Sequence, residues 1–277
     1  MFRRLRWCII GIVLGIIVSL VAIVGVAYLT APQWYRVLFI GSDQRGAERA
    51  RSDVMVVLNI PRDAKKAPVL LSVPRDTRVD DAEYGLQKMT HFYAFGERPD
   101  EEKLLGNIDL TKRHIEELLD LPIDATIEVS FQSFTEIVNS LGTVCVESNC
   151  DTDGEEALKI IRDRFSEGRS DFSRQSDERD VISSIISQLQ SRVAITKVTD
   201  IFNTSKTARL YYDQPKFLHF MLGYMIDHKG KISFQEYQSL SVPGSSDMVF
   251  TESFGKKLYY WIPDTQKLSE IVNTQLN

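Results

Sequence analysis

The chain has 277 residues, 43% hydrophobic and 26% charged, a globular composition that excludes a disordered, collagen-like or disulfide-dense chain. Lysine and arginine total 33 against 38 aspartates and glutamates, a net charge of −5, and Arg3, Arg4 and Arg6 are the only charged residues among the first 30, so the remainder is more acidic still. An acidic domain excludes general nucleic-acid binding, and three cysteines with no C-x-x-C pair exclude a zinc ribbon or thioredoxin-like site.

Trp7 to Ala31 is an uncharged, apolar run. As an α-helix it rises about 37 Å, enough to cross a hydrocarbon core of about 30 Å. The arginines before it place residues 1–6 in the cytoplasm by the positive-inside rule, 7–31 in the membrane as a single-pass anchor, and 32–277 outside as one extracytoplasmic domain. A cleaved signal peptide is the competing reading, and Gly25-Val26-Ala27 supplies a small-x-small site. The apolar core, however, exceeds a signal peptide's usual run of about 7–15 residues. Trp34 and Tyr35 fall where an interfacial aromatic belt lies. The first strand begins so soon after the anchor that the linker reaches only about 18 Å, which keeps the domain near the membrane surface. Outside the membrane, Cys145 and Cys150 are placed to close a small disulfide loop, and Cys8 cannot join them.

Stretches rich in β-branched residues predict strands over 36–41, 53–60, 68–73 and 125–131. A helix is expected from Asp109 or Thr111 to Leu121. Ser133 and Glu136 form a capping-box pattern for the next helix. Asp151 or Thr152 is expected to cap a helix reaching about Phe165, another covers 177–193, and a last one lies near 264–275. Strands alternating with helices predict an α/β fold in a single domain.

The phosphate-loop, dinucleotide, zinc-protease and nucleophile-elbow patterns are absent. Asp151-Thr152-Asp153-Gly154 suggests a calcium loop, but Ile160 then stands where the bidentate glutamate belongs. His91, His114, His219 and His228 lack metal-ligand spacing and read as surface or packing residues.

The informative residues are charged and lie at strand ends. Asp43 and Arg45 follow the first strand, Arg51 and Asp53 open the second, and Arg75 and Asp76 follow the third. Ligand sites in α/β sheets gather at such ends. A second cluster holds Arg162, Arg164, Asp171 and Arg174. On a helix over 153–165, Arg164 projects within the apolar stripe and Arg162 at its edge, so both are expected to face inward and to need an anionic partner. A network of internal ion pairs is the alternative. Guanidinium forks suit phosphate, and two aspartates suit a Mg²⁺ that shares phosphate oxygens.

These residues sit in an ordered series of short motifs: Gly41-Ser42-Asp43, Arg51-Ser52-Asp53, Ser72-Val73-Pro74-Arg75-Asp76-Thr77, Lys88 with Ala94-Phe95-Gly96, Arg162-Asp163-Arg164, and Asp171-Phe172-Ser173-Arg174. In this the sequence resembles the LytR-CpsA-Psr (LCP) enzymes of bacterial cell envelopes, over about residues 36–277. The resemblance implies an α-β-α sandwich with a central mixed sheet and an internal apolar lipid pocket, preceded by one transmembrane helix. It implies a phosphotransferase that moves a glycopolymer from a polyprenyl-pyrophosphate carrier to peptidoglycan through a phosphodiester bond. On that reading Asp43 and Asp53 hold Mg²⁺, with Mn²⁺ as a substitute. Arg45, Arg51, Arg75, Lys88, Arg162, Arg164 and Arg174 bind the pyrophosphate, and Asp171 is the candidate general base. Arg75, Arg162, Arg164 and Asp171 form the catalytic set.

The chain departs from the family pattern at Asp177-Glu178, where Arg-Gln is usual, with Arg179 two places late. A second class of function also fits: a non-catalytic, membrane-anchored protein on the same fold that binds polyprenyl phosphates or regulates without turnover. Retained Asp43, Asp53 and Arg75 favour the enzyme.

Overall fold

The computed structural model describes residues 2–43, 50–95, 106–146, 149–163, 171–189, 192–232 and 237–277. Helix α1 (Phe2–Thr30) leads into β1 (Trp34–Ser42), β2 (Ser52–Pro61) and β3 (Val69–Ser72), then a hairpin of β4 (Arg78–Asp81) and β5 (Gly85–Lys88). Next come α2 (Ile108–Leu119), β6 (Ala125–Ser130), α3 (Phe131–Leu141) and a small hairpin of β7 (Val144–Val146) and β8 (Asn149–Thr152). Helices α4 (Gly154–Arg162), α5 (Asp171–Gln188) and α6 (Arg192–Thr204) precede β9 (Ala208–Tyr212) and α7 (Gln214–Asp227). The chain closes with β10 (Gln238–Ser241), a hairpin of β11 (Gly244–Thr251) and β12 (Lys256–Pro263), and α8 (Thr265–Ile271).

Six strands form one mixed sheet in the order β10-β3-β2-β1-β6-β9. β1 runs antiparallel to β2 and parallel to β6, with Ser42 opposite both Ser52 and Ser130. Val37 to Ile40 reads as an unbroken apolar run because both faces of the sheet are covered. On one face Leu38, Ile40, Met55 and Val57 pack with Ile115 of α2 and Leu268 of α8. On the other, Val37, Val56 and Leu58 pack with Phe220 of α7 and Ile182 of α5. The expected α-β-α sandwich with a mixed sheet is therefore the architecture of the chain.

All four predicted strands are present, with ends shifted by one or two residues. α2 is capped by Asn107, whose side chain accepts from the Leu110 N–H, and stops at Asp120 in the left-handed region (φ 52°). Three helix expectations need correction. The cap of α3 is Ser130, not Ser133: β6 runs straight into the helix, and the Ser133 N–H donates to the Ser130 hydroxyl. α4 is capped by Asp153 and ends at Arg162, because Asp163 turns extended (ψ 117°). The helix expected over 177–193 starts at Asp171, and a separate α6 follows.

Tyr35 is no membrane-belt residue. It is 3% exposed and stacks on Phe220 with ring centroids 5.2 Å apart. Cys145 and Cys150 form the expected disulfide, stapling the β7–β8 hairpin.

Candidate active site

The antiparallel β1–β2 register brings the end of β1 and the start of β2 to the same edge of the sheet, where β3 also ends. Asp43 and Arg51 bracket the β1–β2 connection: the Arg51 N–H donates to Asp43 Oδ1 at 2.8 Å, and the Asp43 N–H to the Arg51 carbonyl at 3.2 Å. Arg75 donates from Nη1 to Asp53 Oδ1 at 2.9 Å, and its Nε lies 3.6 Å from Asp76. Lys88 Nζ bonds the other Asp76 oxygen at 2.7 Å. The three strand ends thus do bring acids and cations together. Partial shielding from water makes each pair stronger than an exposed surface pair.

His91 belongs to the same neighbourhood. Burial, then the charges of Arg51 and Lys88, push its imidazole down to about 4, so it is neutral near pH 7. It pairs with Gln87 at 2.8 Å.

Helix α5 lays a second charged row across this edge. Arg174 is 7% exposed and its Nε lies 3.5 Å from Glu178 Oε1. Glu178 is 5% exposed, and burial pushes its carboxyl up to about 8; nearby Asp53 adds to the rise, while Arg174 and Arg179 oppose it. Arg179 donates from Nη1 to the Ser72 hydroxyl at the end of β3, 2.7 Å away, and its Nε has no hydrogen-bond partner among the described residues. Burial holds its pKa below the usual guanidinium value. Glu178 and Arg179 were noted in the sequence only as departures from a pattern. The four-residue spacing of Glu178 from Arg174 is the available signal, and it acquires meaning only once α5 starts at Asp171.

Beneath this edge, between the sheet and α3, α5, α6 and α7, lies a cavity of about 480 Å³. Its walls are almost wholly aliphatic and aromatic, from Gly41, Phe131 and Ile161 at one end to Phe217 and Ile232 at the other. Among the described residues, Glu178 is the single ionisable side chain lining it. Gly41 lines it, and a Cβ there would stand only 3.0 Å from Val54 Cβ, so a larger residue would crowd β2.

Arg162 does not face inward as expected. It is exposed, with its guanidinium carbon 4.6 Å from the centre of the Phe131 ring, at the cavity rim. Arg45 and Arg164 lie outside the described residues, as does the Asp171 side chain.

Asp43 and Asp53 are the carboxylates at adjoining strand ends. Among the described residues they belong to no group of three or more metal-ligating side chains. Two carboxylates at adjoining strand ends fit the way Mg²⁺ is held, through one or two carboxylates together with substrate phosphates.

A charged sheet edge lies over an apolar cavity in an α/β fold that follows a helix of membrane-spanning length. The chain belongs to the LytR_cpsA_psr family, whose profile matches residues 29–153 and 149–277. It is 31% identical over 183 residues to the polyisoprenyl-teichoic acid–peptidoglycan teichoic acid transferase TagU of Bacillus licheniformis, covering 61% of this chain and 56% of that protein. TagT of Bacillus subtilis, a transferase of the same description, is 32% identical over 197 residues, covering 61% and 57%. The chain thus spans a little over half the length of these relatives. Among solved structures, Lin1025 of Listeria innocua superposes with a TM-score of 0.66 at 24% identity, covering 87% of this chain and 96% of that one. TagT bound to LIIa-WTA superposes with a TM-score of 0.63 at 25% identity, covering 87% and 89%.

Proposed function

We propose that this chain is a membrane-anchored phosphotransferase that moves a glycopolymer from a polyprenyl-pyrophosphate carrier to peptidoglycan. The observation that carries this reading is the cavity's placement: an apolar chamber with Glu178 in its wall and Arg162 stacked on its rim residue Phe131, next to Asp53, Arg75 and Arg174. An isoprenoid tail fits the chamber and a pyrophosphate fits the charged edge. The transferase descriptions of the family relatives support the same reaction class.

In the reaction, an acceptor hydroxyl of peptidoglycan attacks the glycopolymer-linked phosphorus. The P–O bond to the lipid phosphate breaks, and polyprenyl monophosphate leaves. Asp171 receives the hydroxyl proton. Arg75, Arg162, Arg164 and Arg174 hold the phosphate oxygens, Arg45, Arg51 and Lys88 add further positive charge for the pyrophosphate, and Arg179 braces Ser72. Such chemistry rests on in-line positioning and charge neutralisation, which fixed guanidiniums supply. Asp43 and Asp53 would hold Mg²⁺, which neutralises the pyrophosphate charge. Arg75 is already oriented by Asp53, so it meets the substrate with little reorganisation. The anchor is read as crossing the membrane once, with the N-terminus in the cytoplasm and the domain outside.

The test is transfer of a radiolabelled oligosaccharide from polyprenyl pyrophosphate to a peptidoglycan oligomer by the full chain with Mg²⁺. Lipid monophosphate and a phosphodiester-linked product should appear together, and Asp43→Ala and Asp53→Ala should each abolish both. Tight lipid binding with no product in the unaltered protein would instead establish the non-catalytic binding protein.

A further inference from the structure

Helix α7 carries three distinct stripes. One buries Phe220 and Tyr224 against the sheet. The second grips the end of α1. His219 Nε2 lies 2.8 Å from the Ala27 carbonyl oxygen and 3.2 Å from the Thr30 hydroxyl. Asp227 accepts from the Tyr28 hydroxyl at 2.7 Å and from Arg62 Nε at 2.6 Å. Arg62 Nη1 then donates to the Tyr28 and Ala31 carbonyls at 3.1 and 3.0 Å, satisfying groups that a helix C-terminus leaves unpaired. Gly223 allows this approach: a Cβ there would stand 2.7 Å from Arg62 Cδ and 2.9 Å from Ala31 Cβ.

The third stripe is Leu218, Leu222 and Ile226, at four-residue spacing and roughly opposite the core-facing side. Leu218 is 57% and Ile226 44% exposed. A helix apolar on its outward side as well as its inward one requires a nonaqueous neighbour. Its position says which neighbour. The Ile9–Thr30 stretch of α1 is 22 residues long with mean hydropathy 3.1. It rises about 33 Å, close to the hydrocarbon thickness, so its last turn lies where a span leaves the acyl region. That turn is the one α7 grips. The exposed Lys229 and Lys231 directly after α7 suit anionic headgroups.

We propose that α7 is an interfacial helix that lies in the bilayer boundary with Leu218, Leu222 and Ile226 among the acyl chains. The neighbouring Phe217 and Ile232 line the cavity, so that end of the chamber adjoins the lipid rather than water. The inference rests on the reading of α1 as a membrane span.

The experiment uses the full chain with Cys8→Ser, in phosphatidylcholine–phosphatidylglycerol vesicles. Single cysteines replace Leu218, Leu222 or Ile226, with Val18→Cys as the bilayer-centre control and Glu270→Cys as the water control. Each is labelled with bimane and quenched by shallow lipid-borne nitroxide, deep lipid-borne nitroxide or aqueous iodide. The three α7 labels should be quenched at least about threefold more by shallow nitroxide than by iodide, and the Glu270 label the reverse. If the α7 labels instead follow the Glu270 label while Val18 is reached by deep nitroxide, the interfacial helix is overturned and the span stands. Protection of the α7 labels from every quencher, with disulfide-linked dimers through Leu218→Cys, would assign the stripe to a second copy and also overturn it. A Val18 label reached by iodide would remove the span and the proposal together. Transfer activity is not read in this assay, so failure of the proposed chemistry leaves its outcome unchanged.

Discussion

Glu178→Gln tests whether the cavity wall holds a neutral carboxyl. Glutamine keeps the shape and a hydrogen-bonding oxygen but cannot ionise. In the native fold, burial raises the Glu178 carboxyl from 4.5 to about 8. A raised folded-state pKa contributes stability that is complete below the unfolded value near 4.5 and is lost as pH rises through 8. Over that window the native protein holds a proton that the unfolded chain has released. Each pH unit then costs the glutamate protein about 1.4 kcal/mol, with a ceiling on the order of 4–5 kcal/mol by pH 8. Glutamine does not incur that cost. In chelator, to keep the neighbouring aspartates metal-free, the variant should melt close to the parent at pH 5 and progressively above it towards pH 8. For a domain of this size each kcal/mol is worth roughly 2–4 °C. Calorimetry at half-unit pH steps reads the difference. A melting difference independent of pH, or a glutamine variant less stable at pH 8, would show that Glu178 is ionised and paired with Arg174 at 3.5 Å. The burial argument would then be wrong.

Arg75→Ala should lower transfer roughly ten- to a hundredfold, since a charge-assisted hydrogen bond contributes about 1.5–3 kcal/mol; Arg75→Lys should recover little of it because an ammonium lacks the planar fork. Arg162→Ala, at an exposed rim position, should leave the melting temperature within about 1 °C and still weaken lipid-pyrophosphate binding, and normal binding would remove it from the site. Cys145→Ser with Cys150→Ser opens a small loop worth about 2 kcal/mol in the chain-entropy model; thermal melts should fall by several degrees while transfer per folded molecule is unchanged. A thiol at Lys231→Cys should react with a membrane-impermeant maleimide on intact cells, and reaction only after lysis would reverse the orientation of the anchor.

Features that depend only on neighbours along the chain are legible before folding. The apolar run of α1, the four strands, the Cys145–Cys150 staple and the charges at strand ends are all encoded within windows of ten or so residues. The motif order from Asp43 to Arg174 also carried the family. What the sequence could not supply was any quantity set by distant segments meeting. The order β10-β3-β2-β1-β6-β9 sets β6 beside β1 and β10 beside β3 from far along the chain, and only the tertiary packing of α5 brings Arg174, Glu178 and Arg179 to the ends of β2 and β3. Local reasoning turned Arg162 inward from its phase at the edge of the α4 apolar stripe, whereas tertiary packing leaves that flank of the helix exposed beside Phe131. It placed Tyr35 at the membrane because aromatic residues after a span often lie there, whereas packing on Phe220 buries it. Glu178 and Arg179 looked like losses from a pattern until α5 set one into the cavity wall and the other against Ser72. Periodicity and capping chemistry act over a few residues, while desolvation, which gives these side chains their character, arises only when the tertiary structure removes water from around them.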